Sequence, residues 1–371
     1  MMLTKIVVII LLLGLMDCVT ISKPRDKMKS IEEMHELYPS FQYNDKIELR
    51  QTKWMGNGLF AKSEIFENEN IFIIPIETQT LNSKIMYEYF PIFKKSKQRK
   101  FYLLSYFVAS LYLSDNQHIA LDNLPPNLTC AVDHLQVIEK FFPKGSYEYA
   151  ISDLQDVHEI YLKIDKWVDQ DSKISYNDFL WGVCIVLSRT YSPSDEELRR
   201  EYGNLLIIPG AELVNHQIEE NCVYKNEVID NQHYWIYYAN SDIPEGEQLF
   251  NSYYGYTECK TKLESFFIYD FVLDEKGCNQ VYIKNNPLII EENLVTLEGV
   301  EPNELEYVIS KEIQKYEIDL DGLNKSLAQI HEINKQYLEK ALQIIQNNHE
   351  AKIKKEEKEK RKKEKENGVK N

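Results

Sequence analysis

The sequence predicts an α+β fold in which short strands are interrupted by one block of helices and followed by another. Apolar positions alternate between residues 46 and 76 and between residues 221 and 254, a spacing typical of strands. Helical spacing dominates residues 80–190 and returns beyond residue 291. With 371 residues, the chain is long enough for two modest domains or for one domain with a large insertion.

The first strand region passes through a Gly-Asn-Gly turn and ends in a continuous apolar run over Ile71–Ile76, as expected for a buried strand. The helical block after it contains two strong patterns, "KFYLLSYFVASLYL" and "KISYNDFLWGVCIVLSRTYS". In the second pattern Ser175 is placed to cap a helix, and Asp178 follows three residues later, as in a capping box. We expect this helix to end at Ser188 and Arg189, where a cation also suits the negative end of the helix.

The later strands are joined by the turn "IPEGEQ", and the helix pattern "TECKTKLESFFIYDFV" follows them. Beyond residue 291, a stripe at three- and four-residue spacing predicts one amphipathic helix with a single polar interruption, packed on its own domain. The residues of the stripe are Leu320, Leu323, Leu327, Ile330, Asn334, Tyr337, Ala341 and Ile344. The charged segment 351–371 is expected to be a solvated, frayed helix or disordered.

The net charge of −16 is unevenly distributed along the chain. Residues 351–371 hold 10 Lys or Arg and 5 Asp or Glu, so the remaining residues hold 33 and 54 and are strongly acidic. An acidic body disfavours nucleic acid as a ligand, and no nucleic-acid partner is expected. It favours a basic partner, although acidity that only keeps the protein soluble is an equal alternative.

The N-terminus carries one lysine, an apolar run over Ile6–Met16 and then small and polar residues, which is the order of a signal peptide. We assign residues 1–22 to this signal, with cleavage near Thr20 and no transmembrane segment after its removal. An uncleaved anchor is the alternative. The protein is then secreted or held in the secretory pathway, where the sequons at Asn127 and Asn324 become relevant. If the expressed protein lacks the first residues, a cytoplasmic or nuclear location is expected instead.

The cysteines favour no metal site. Loss of Cys18 with the signal leaves five cysteines, so at least one thiol is free. No pair has the close spacing of a zinc site, and disulfides are possible but not indicated. We therefore expect no metal.

Five short motifs follow one another along the chain: "GNGLFA", "SRTY", "AELVNH", "GEQLFNSYYG" and "LESFFIYDFV". Taken singly, each fits a turn, a helix end or a core segment, and "GNGLFA" lacks the third glycine of a dinucleotide-binding motif. Together and in this order, they resemble the SET-domain protein methyltransferases, in particular the class of the plant Rubisco large-subunit lysine methyltransferase. The resemblance covers roughly residues 45–350.

This resemblance implies a division of the chain as well as a fold. It places a β-rich SET domain of several small sheets and a pseudo-knot over residues 23–285, with a helical insertion at about 80–190. It also implies a C-terminal helical domain at residues 286–350, like the substrate-binding domain of that class, before the charged tail at 351–371.

The resemblance further implies a binding site for the cofactor S-adenosyl-L-methionine. Backbone contacts come from the glycine turn, contacts to the polar end of the cofactor from the helix end, and contacts to its adenosyl moiety from the Asn-His pair. These residues are Gly56, Asn57, Gly58 and Leu59, then Ser188 and Arg189, and then Asn215 and His216. Glu212 stands where the family usually has Asp, and its implied role is to bind the substrate beside the target side chain.

Three tyrosines are candidates for catalysis. The family segment G-E-Q-hydrophobic-x-x-x-Y-G occurs here as "GEQLFNSYYG", with one extra tyrosine. Counting forward from Gly246 selects Tyr253, and counting back from the final glycine selects Tyr254. The family segment D-Y-G-F occurs as "IYDF", which places Tyr269 at the catalytic position with Asp270 instead of glycine. Tyr269 is the first candidate.

The residue types suit methyl transfer. Transfer from a sulfonium to an amine needs aligned reactants, exclusion of water and well-placed dipoles, but no metal or enzyme nucleophile. A target lysine must be neutral, and aromatic walls lower its pKa by desolvation. Tyr234, Trp235, Tyr237 and Tyr238 are candidates for such walls, although strand alternation places only some of them there.

The function that the resemblance implies is S-adenosylmethionine-dependent protein-lysine N-methylation, with a protein or peptide as substrate. Two alternatives remain open at the level of sequence. One is a protein-histidine methyltransferase of the same class, and the other is a non-catalytic SET-fold protein that binds peptides.

Overall fold

The computed structural model describes residues 19–22, 29–52, 56–114, 117–128, 138, 140–143, 154, 156–253, 262–269, 281–283, 286–291, 294–297, 299–302, 304–316 and 325–368. These residues form two compact units. The first unit holds the described residues up to 128 and from 156 to 253. The second holds those between 138 and 154 and those from 262 onward.

The first unit contains many short strands and a block of helices. Its strands are β1 (Val19–Thr20), β2 (Gln42–Tyr43), β3 (Ile47–Gln51), β4 (Asn57–Ala61), β5 (Asn70–Pro75), β6 (Asn127–Leu128), β7 (Thr190–Tyr191), β8 (Leu206–Ile207), β9 (Asn215–His216), β10 (Cys222–Ile229), β11 (Gln232–Ala239) and β12 (Phe250–Asn251). Its α-helices are α1 (Ile31–Leu37), α2 (Ile76–Gln79), α3 (Ser83–Tyr89), α4 (Lys100–Leu113), α5 (Val157–Asp165), α6 (Tyr176–Arg189) and α7 (Glu196–Tyr202).

The largest sheet of the first unit has four antiparallel strands in the order β10, β11, β5 and β2. A two-residue turn at Asp230 and Asn231, both with positive φ, joins β10 to β11, as is usual for tight hairpins. The other strands form pairs: β1 with β6, β3 with β4, β7 with β8, and β9 with β12. The last of these pairs is parallel. The predicted α+β class, with helices inserted between the strand regions, is confirmed.

Helix α6 is the element of the insertion that leads into the site. Ser175 caps it by accepting from the N–H of Asp178, and the Asp178 carboxylate accepts in return from the Ser175 N–H, so the predicted capping box is present. The carboxylate also accepts from the N–H and hydroxyl of Ser22, at 2.8 and 3.1 Å. Along the helix, Gly182 permits close approach to the Ser105 carbonyl of α4. Capping fixes where α6 begins, and close packing fixes its position against α4.

The second unit combines helices with a small sheet that the sequence patterns did not predict. Its elements are α8 (Lys262–Tyr269), β13 (Val281–Ile283), β14 (Asn286–Glu291), β15 (Leu294–Leu297), α9 (Leu305–Lys315) and α10 (Lys325–Gly368). The three strands form one antiparallel sheet. The unit therefore begins before residue 286, and the boundaries of the family domains stay a prediction.

The predicted amphipathic stripe lies on α10. Leu327, Ile330 and Ala341 are buried, and Asn334 is a buried polar interruption that donates to the Tyr316 hydroxyl. Leu320 and Leu323, the first two residues of the predicted stripe, lie outside the described residues. The helix continues into the charged tail as far as Gly368.

The described cysteines differ in their redox state. Cys184 of α6 is in a disulfide bond, whose other half lies outside the described residues. The Cys222 thiol is free and buried, and burial raises its pKa. A disulfide was not indicated by the sequence because the cysteines are widely spaced. Among the described helices, none is long and apolar enough to cross a membrane. Most of the predicted signal, residues 1–18, lies outside the part of the chain that the structure describes.

Candidate active site

The glycine turn that begins β4 meets β9 in the first unit. The side-chain amide of Asn215 donates to the Asn57 carbonyl oxygen at 3.1 Å. Gly56 has a φ of +70°, a conformation that glycine adopts readily. A Cβ atom on Gly58 would lie 2.8 Å from Nδ2 of Asn215 and still closer to the side-chain amide of Gln248. The turn thus presents bare backbone beside two side-chain amides.

The Asn-His segment is held by its parallel pairing with β12, which places Asn251 opposite His216. Nδ1 of His216 accepts from the N–H of Tyr253 at 3.0 Å, and the Tyr253 hydroxyl donates to the Val214 carbonyl oxygen at 3.2 Å. Burial lowers the pKa of His216 to about 4, so the imidazole is neutral at pH 7. Of the two adjacent tyrosines, Tyr253 is therefore built into this site.

Helix α6 ends at Arg189, as predicted, and brings a cation to the same place. Arg189 opposes the rise that burial causes in the pKa of Tyr253, and its Nε is buried without a partner among the described residues. The hydroxyl of Ser188 donates to the Cys184 carbonyl oxygen within the helix, at 2.8 Å. The O–H of Ser188 is thus used within the helix, and its hydroxyl oxygen and main chain can still contact a ligand.

Glu212 lies in a 3-10 turn, Ala211–Leu213, just before β9. Its side chain is buried, and neither carboxylate oxygen makes a well-formed hydrogen bond within the described residues. Burial raises the pKa of Glu212 to about 8 and outweighs the opposing effects of nearby backbone N–H groups and of Arg189. The carboxyl group is therefore mostly neutral at pH 7.

An aromatic cluster includes Tyr191, whose hydroxyl donates to the Ala211 carbonyl oxygen next to Glu212 at 3.0 Å. Tyr224 stacks on Trp235 with ring centroids 4.2 Å apart, and the Tyr191 ring lies 5.8 Å from Trp235 and 6.3 Å from Tyr237. Trp235 and Tyr237, two of the four predicted wall residues, are fully buried on one face of β11. The other two alternate to the opposite face. Burial holds the pKa of Tyr191 well above its usual value, and Glu212 and Arg189 both act on this phenol.

The sequence did not predict three polar residues of the site, Asn221, Gln248 and Asn251. Asn221 accepts from the Phe250 N–H at 2.7 Å and donates to the Gln248 carbonyl oxygen at 2.9 Å, so it clamps the strand opposite β9. Asn251 donates to the Cys222 carbonyl oxygen at 3.3 Å. Nε2 of Gln248 and Oδ1 of Asn251 are buried without partners in the described part of the chain. Only the "GEQ" motif gave a signal for Gln248.

Two of the three candidate tyrosines lie outside the described part of the first unit. Tyr254 lies outside the described residues. Tyr269 is the half-buried last residue of α8, in the second unit. Their proposed roles remain predictions.

No group of three or more potential metal ligands occurs within the described ranges. A cavity of about 310 Å³ elsewhere in the first unit, lined by residues that include Phe90, Phe107 and Lys173, contains none of the predicted site residues.

Comparison with known proteins places the fold. The structure of the LSMT SET domain bound to lysine and AdoHcy is 14% identical in sequence, with a TM-score of 0.67 over 86% of this chain and 90% of that chain. The structure of Rubisco LSMT bound to AdoMet is also 14% identical, with a TM-score of 0.65 over 85% and 91%. At this identity the likeness shows a shared fold. No curated protein matches the sequence.

The family itself is shown by the sequence. Residues 56–254, more than half of the chain, match the SET domain. The matched segment starts at the glycine turn and ends beside Tyr253, so it spans every element of the site described above. The chain belongs to the SET-domain family.

Proposed function

We propose that this protein is an S-adenosylmethionine-dependent protein-lysine N-methyltransferase. Its SET fold is that of methyltransferases which use S-adenosyl-L-methionine. The observation that carries the proposal is the hydrogen bond from Asn215 to Asn57, because it joins the two motifs to which the resemblance assigns the cofactor.

The residues at this junction fit that cofactor. Buried polar atoms of Arg189, Gln248 and Asn251 lack partners within the described residues, and a bound polar ligand would satisfy them. Gly58 has no side chain, so the amides of Asn215 and Gln248 can approach its backbone closely. Arg189 would pair with the carboxylate end of the cofactor, and the glycine turn and Asn215 would hold the remainder.

When bound, the cofactor supplies an electrophilic methyl group. The protein's own contribution is to hold the acceptor nitrogen in line and to keep water out. The buried rings of Trp235 and Tyr237, with Tyr191 beside them, form a wall suited to the second task. The neutral imidazole of His216 accepts a hydrogen bond from the main-chain N–H of Tyr253 and so fixes this residue.

Lysine is the proposed target because an aromatic wall next to a sulfonium favours a neutral amine. One of the structures of similar fold contains bound lysine, and another is bound to sinefungin and monomethyllysine. The acidic body would attract a basic protein segment. Histidine methylation and non-catalytic peptide binding are the competing functions.

The proposed location is the secretory pathway. The signal-like N-terminus motivates this proposal, and the disulfide at Cys184 supports it because disulfides persist in oxidising compartments. Asn127, which begins a glycosylation sequon, is exposed.

Binding of S-adenosylmethionine to the purified chain, measured by titration calorimetry, tests the proposed cofactor site. We expect binding, and we expect Asn215→Ala to weaken it at least tenfold because the turn loses its anchor. Asn70→Ala, at an exposed residue of β5, is the matched control and should bind normally. A wild-type chain that does not bind the cofactor would rule out the enzyme and leave the peptide-binding alternative.

The rate of methyl transfer distinguishes between the three candidate catalytic tyrosines. Tyr269→Phe should strongly lower the rate of methyl transfer while leaving cofactor affinity nearly intact. Unchanged activity in this variant would move the catalytic assignment to Tyr253 or Tyr254.

A further inference from the structure

Glu212 is a buried ionisable group that the proposed function does not yet use. Both of its carboxylate oxygens are buried and make no well-formed hydrogen bond among the residues that the structure describes. A buried acid without partners is unfavourable unless a ligand or a proton completes it. Glu212 lies three residues before Asn215, in the turn that leads into β9. This acid is therefore part of the candidate site.

The charged and titratable groups around Glu212 come from three other segments. Arg189 of α6 favours the charged carboxylate, whereas Asp122 disfavours it. Tyr191 of β7 donates to the carbonyl oxygen of Ala211, next to Glu212, at 3.0 Å, and both Glu212 and Tyr253 act on its phenol. Arg189 does not overcome the effect of burial, and the pKa of Glu212 stays near 8. Near neutral pH, this carboxyl group can therefore both hold and release a proton.

Methyl transfer to lysine requires a proton acceptor. A lysine side chain reaches the enzyme as an ammonium, with an ordinary pKa near 10.4, and its nitrogen has no free electron pair until one proton leaves. A positioned base assists most when its own pKa lies near the working pH. Burial raises the pKa of Glu212, which brings the proton affinities of acid and amine closer together.

We propose that Glu212 accepts the proton of the target ammonium, so that the site selects an amine that arrives charged. This inference rests on the proposed methyltransferase function. The N–H bond of the ammonium breaks, its electron pair stays on nitrogen, and the proton forms an O–H bond with the Glu212 carboxylate. The neutral nitrogen then bonds to the methyl carbon as the carbon–sulfur bond breaks and leaves its electron pair on sulfur. The proton leaves Glu212 to water once the product has departed.

The pH dependence of methyl transfer tests this role in the full-length chain. Incorporation of labelled methyl groups into poly-L-lysine would be followed from pH 6 to pH 9.5 for the wild type, Glu212→Gln and Glu212→Asp. For the wild type, kcat/KM should rise with an apparent pKa near 8, because the carboxylate form is the active one. Glu212→Gln should lose about 100-fold or more in rate, together with this rise. Glu212→Asp should keep a rise of the same kind.

A second readout does not require turnover. The carboxyl band in the infrared difference spectrum between the wild type and Glu212→Gln should titrate with the same midpoint as the rate. Unfolding curves of both variants show whether the fold is retained.

Several outcomes would overturn the proposal. A Glu212→Gln variant that keeps the wild-type pH profile would show that Glu212 only positions Arg189, whatever its rate. A carboxyl group that stays ionised throughout the pH range would also exclude the role. If the wild type binds S-adenosylmethionine but methylates no poly-L-lysine, the amine assignment fails and the cofactor site stands. Failure to bind the cofactor at all would instead remove the proposed function.

Discussion

Gly58 occupies the tightest point of the candidate site. Its φ lies outside the left-handed region, so its backbone does not require glycine. What excludes a side chain is the close approach of the amides of Gln248 and Asn215, the latter at 2.8 Å from the position of a Cβ atom. Gly58 is therefore important because the absence of a side chain lets these amides approach the backbone, and not because of backbone freedom.

A side chain at position 58 should lower cofactor affinity, whereas a control substitution elsewhere should lower only the stability of the fold. We expect Gly58→Ala to displace Asn215 from the Asn57 carbonyl and to lower the affinity for S-adenosylmethionine about tenfold, which corresponds to about 1.4 kcal/mol. The matched control is Gly246→Ala, because Gly246 has open space around it but a φ of +84°. It should lower the free energy of unfolding by about 1 kcal/mol and leave cofactor affinity unchanged. Calorimetric titration and denaturant unfolding measure the two quantities, and equal losses of affinity in both variants would contradict the assignment.

At this scale, ordered motifs predicted some residues better than others. The turn, the Asn-His pair and Arg189 each lie in a short motif, and the structure brings them together. Asn221 is recognisable only from its bonds to β12, nearly thirty residues along the chain, which no local pattern encodes. The choice between Tyr253 and Tyr254 depended on one inserted residue, and the bonds of Tyr253 to His216 and Val214 place it in the site.

Among the elements, α6 connects the N-terminal strand to the site. Its first turn is tied to residue 22 through Asp178, and its last residue is Arg189, which acts on the Tyr253 phenol. Because the helix is rigid and tightly packed against α4, a change at its beginning can affect the position of its end.

The capping carboxylate of α6 should contribute more to stability than an ordinary cap. We expect Asp178→Ala to lower the free energy of unfolding by about 2–3 kcal/mol, because it leaves Ser22 and Ser175 without their acceptor in a nearly buried place. Asp195→Ala removes the cap of α7, whose bonds to the next residues are more exposed, and should cost only about 1 kcal/mol. Denaturant titration of both variants gives the comparison, and similar losses would argue that the tie to residue 22 contributes nothing.

Helices were easier to predict than short strands. The pattern "KFYLLSYFVASLYL" coincides with α4, and the capping box located the start of α6, because both signals are local. The sheet formed by β13, β14 and β15 has strands of three to six residues. Such strands are fixed by their pairing with one another, and a run of this length does not distinguish a strand from a buried helical turn.

For the whole molecule, the N-terminal segment links the fold to the proposed entry into the secretory pathway. β1 pairs with β6, and Ile21 is buried, so residues 19–22 contribute to the folded unit. The disulfide of Cys184 lies on the helix that this segment contacts. A chain that folds in the cytosol would lack the disulfide, which typically contributes about 2–4 kcal/mol.

Two chains that begin at different residues test the proposed location. The full-length chain should gain a glycan that Asn127→Gln and Asn324→Gln together remove, and its Cys184 should resist alkylation unless a reductant is present. A chain begun at Val19, which keeps β1, should stay in the cytosol without a glycan, with Cys184 reduced and with a lower unfolding temperature. Imaging, glycosidase treatment and mass spectrometry of alkylated cysteines measure these differences. Identical cytosolic distributions of the two chains, with no glycan on either, would exclude the signal.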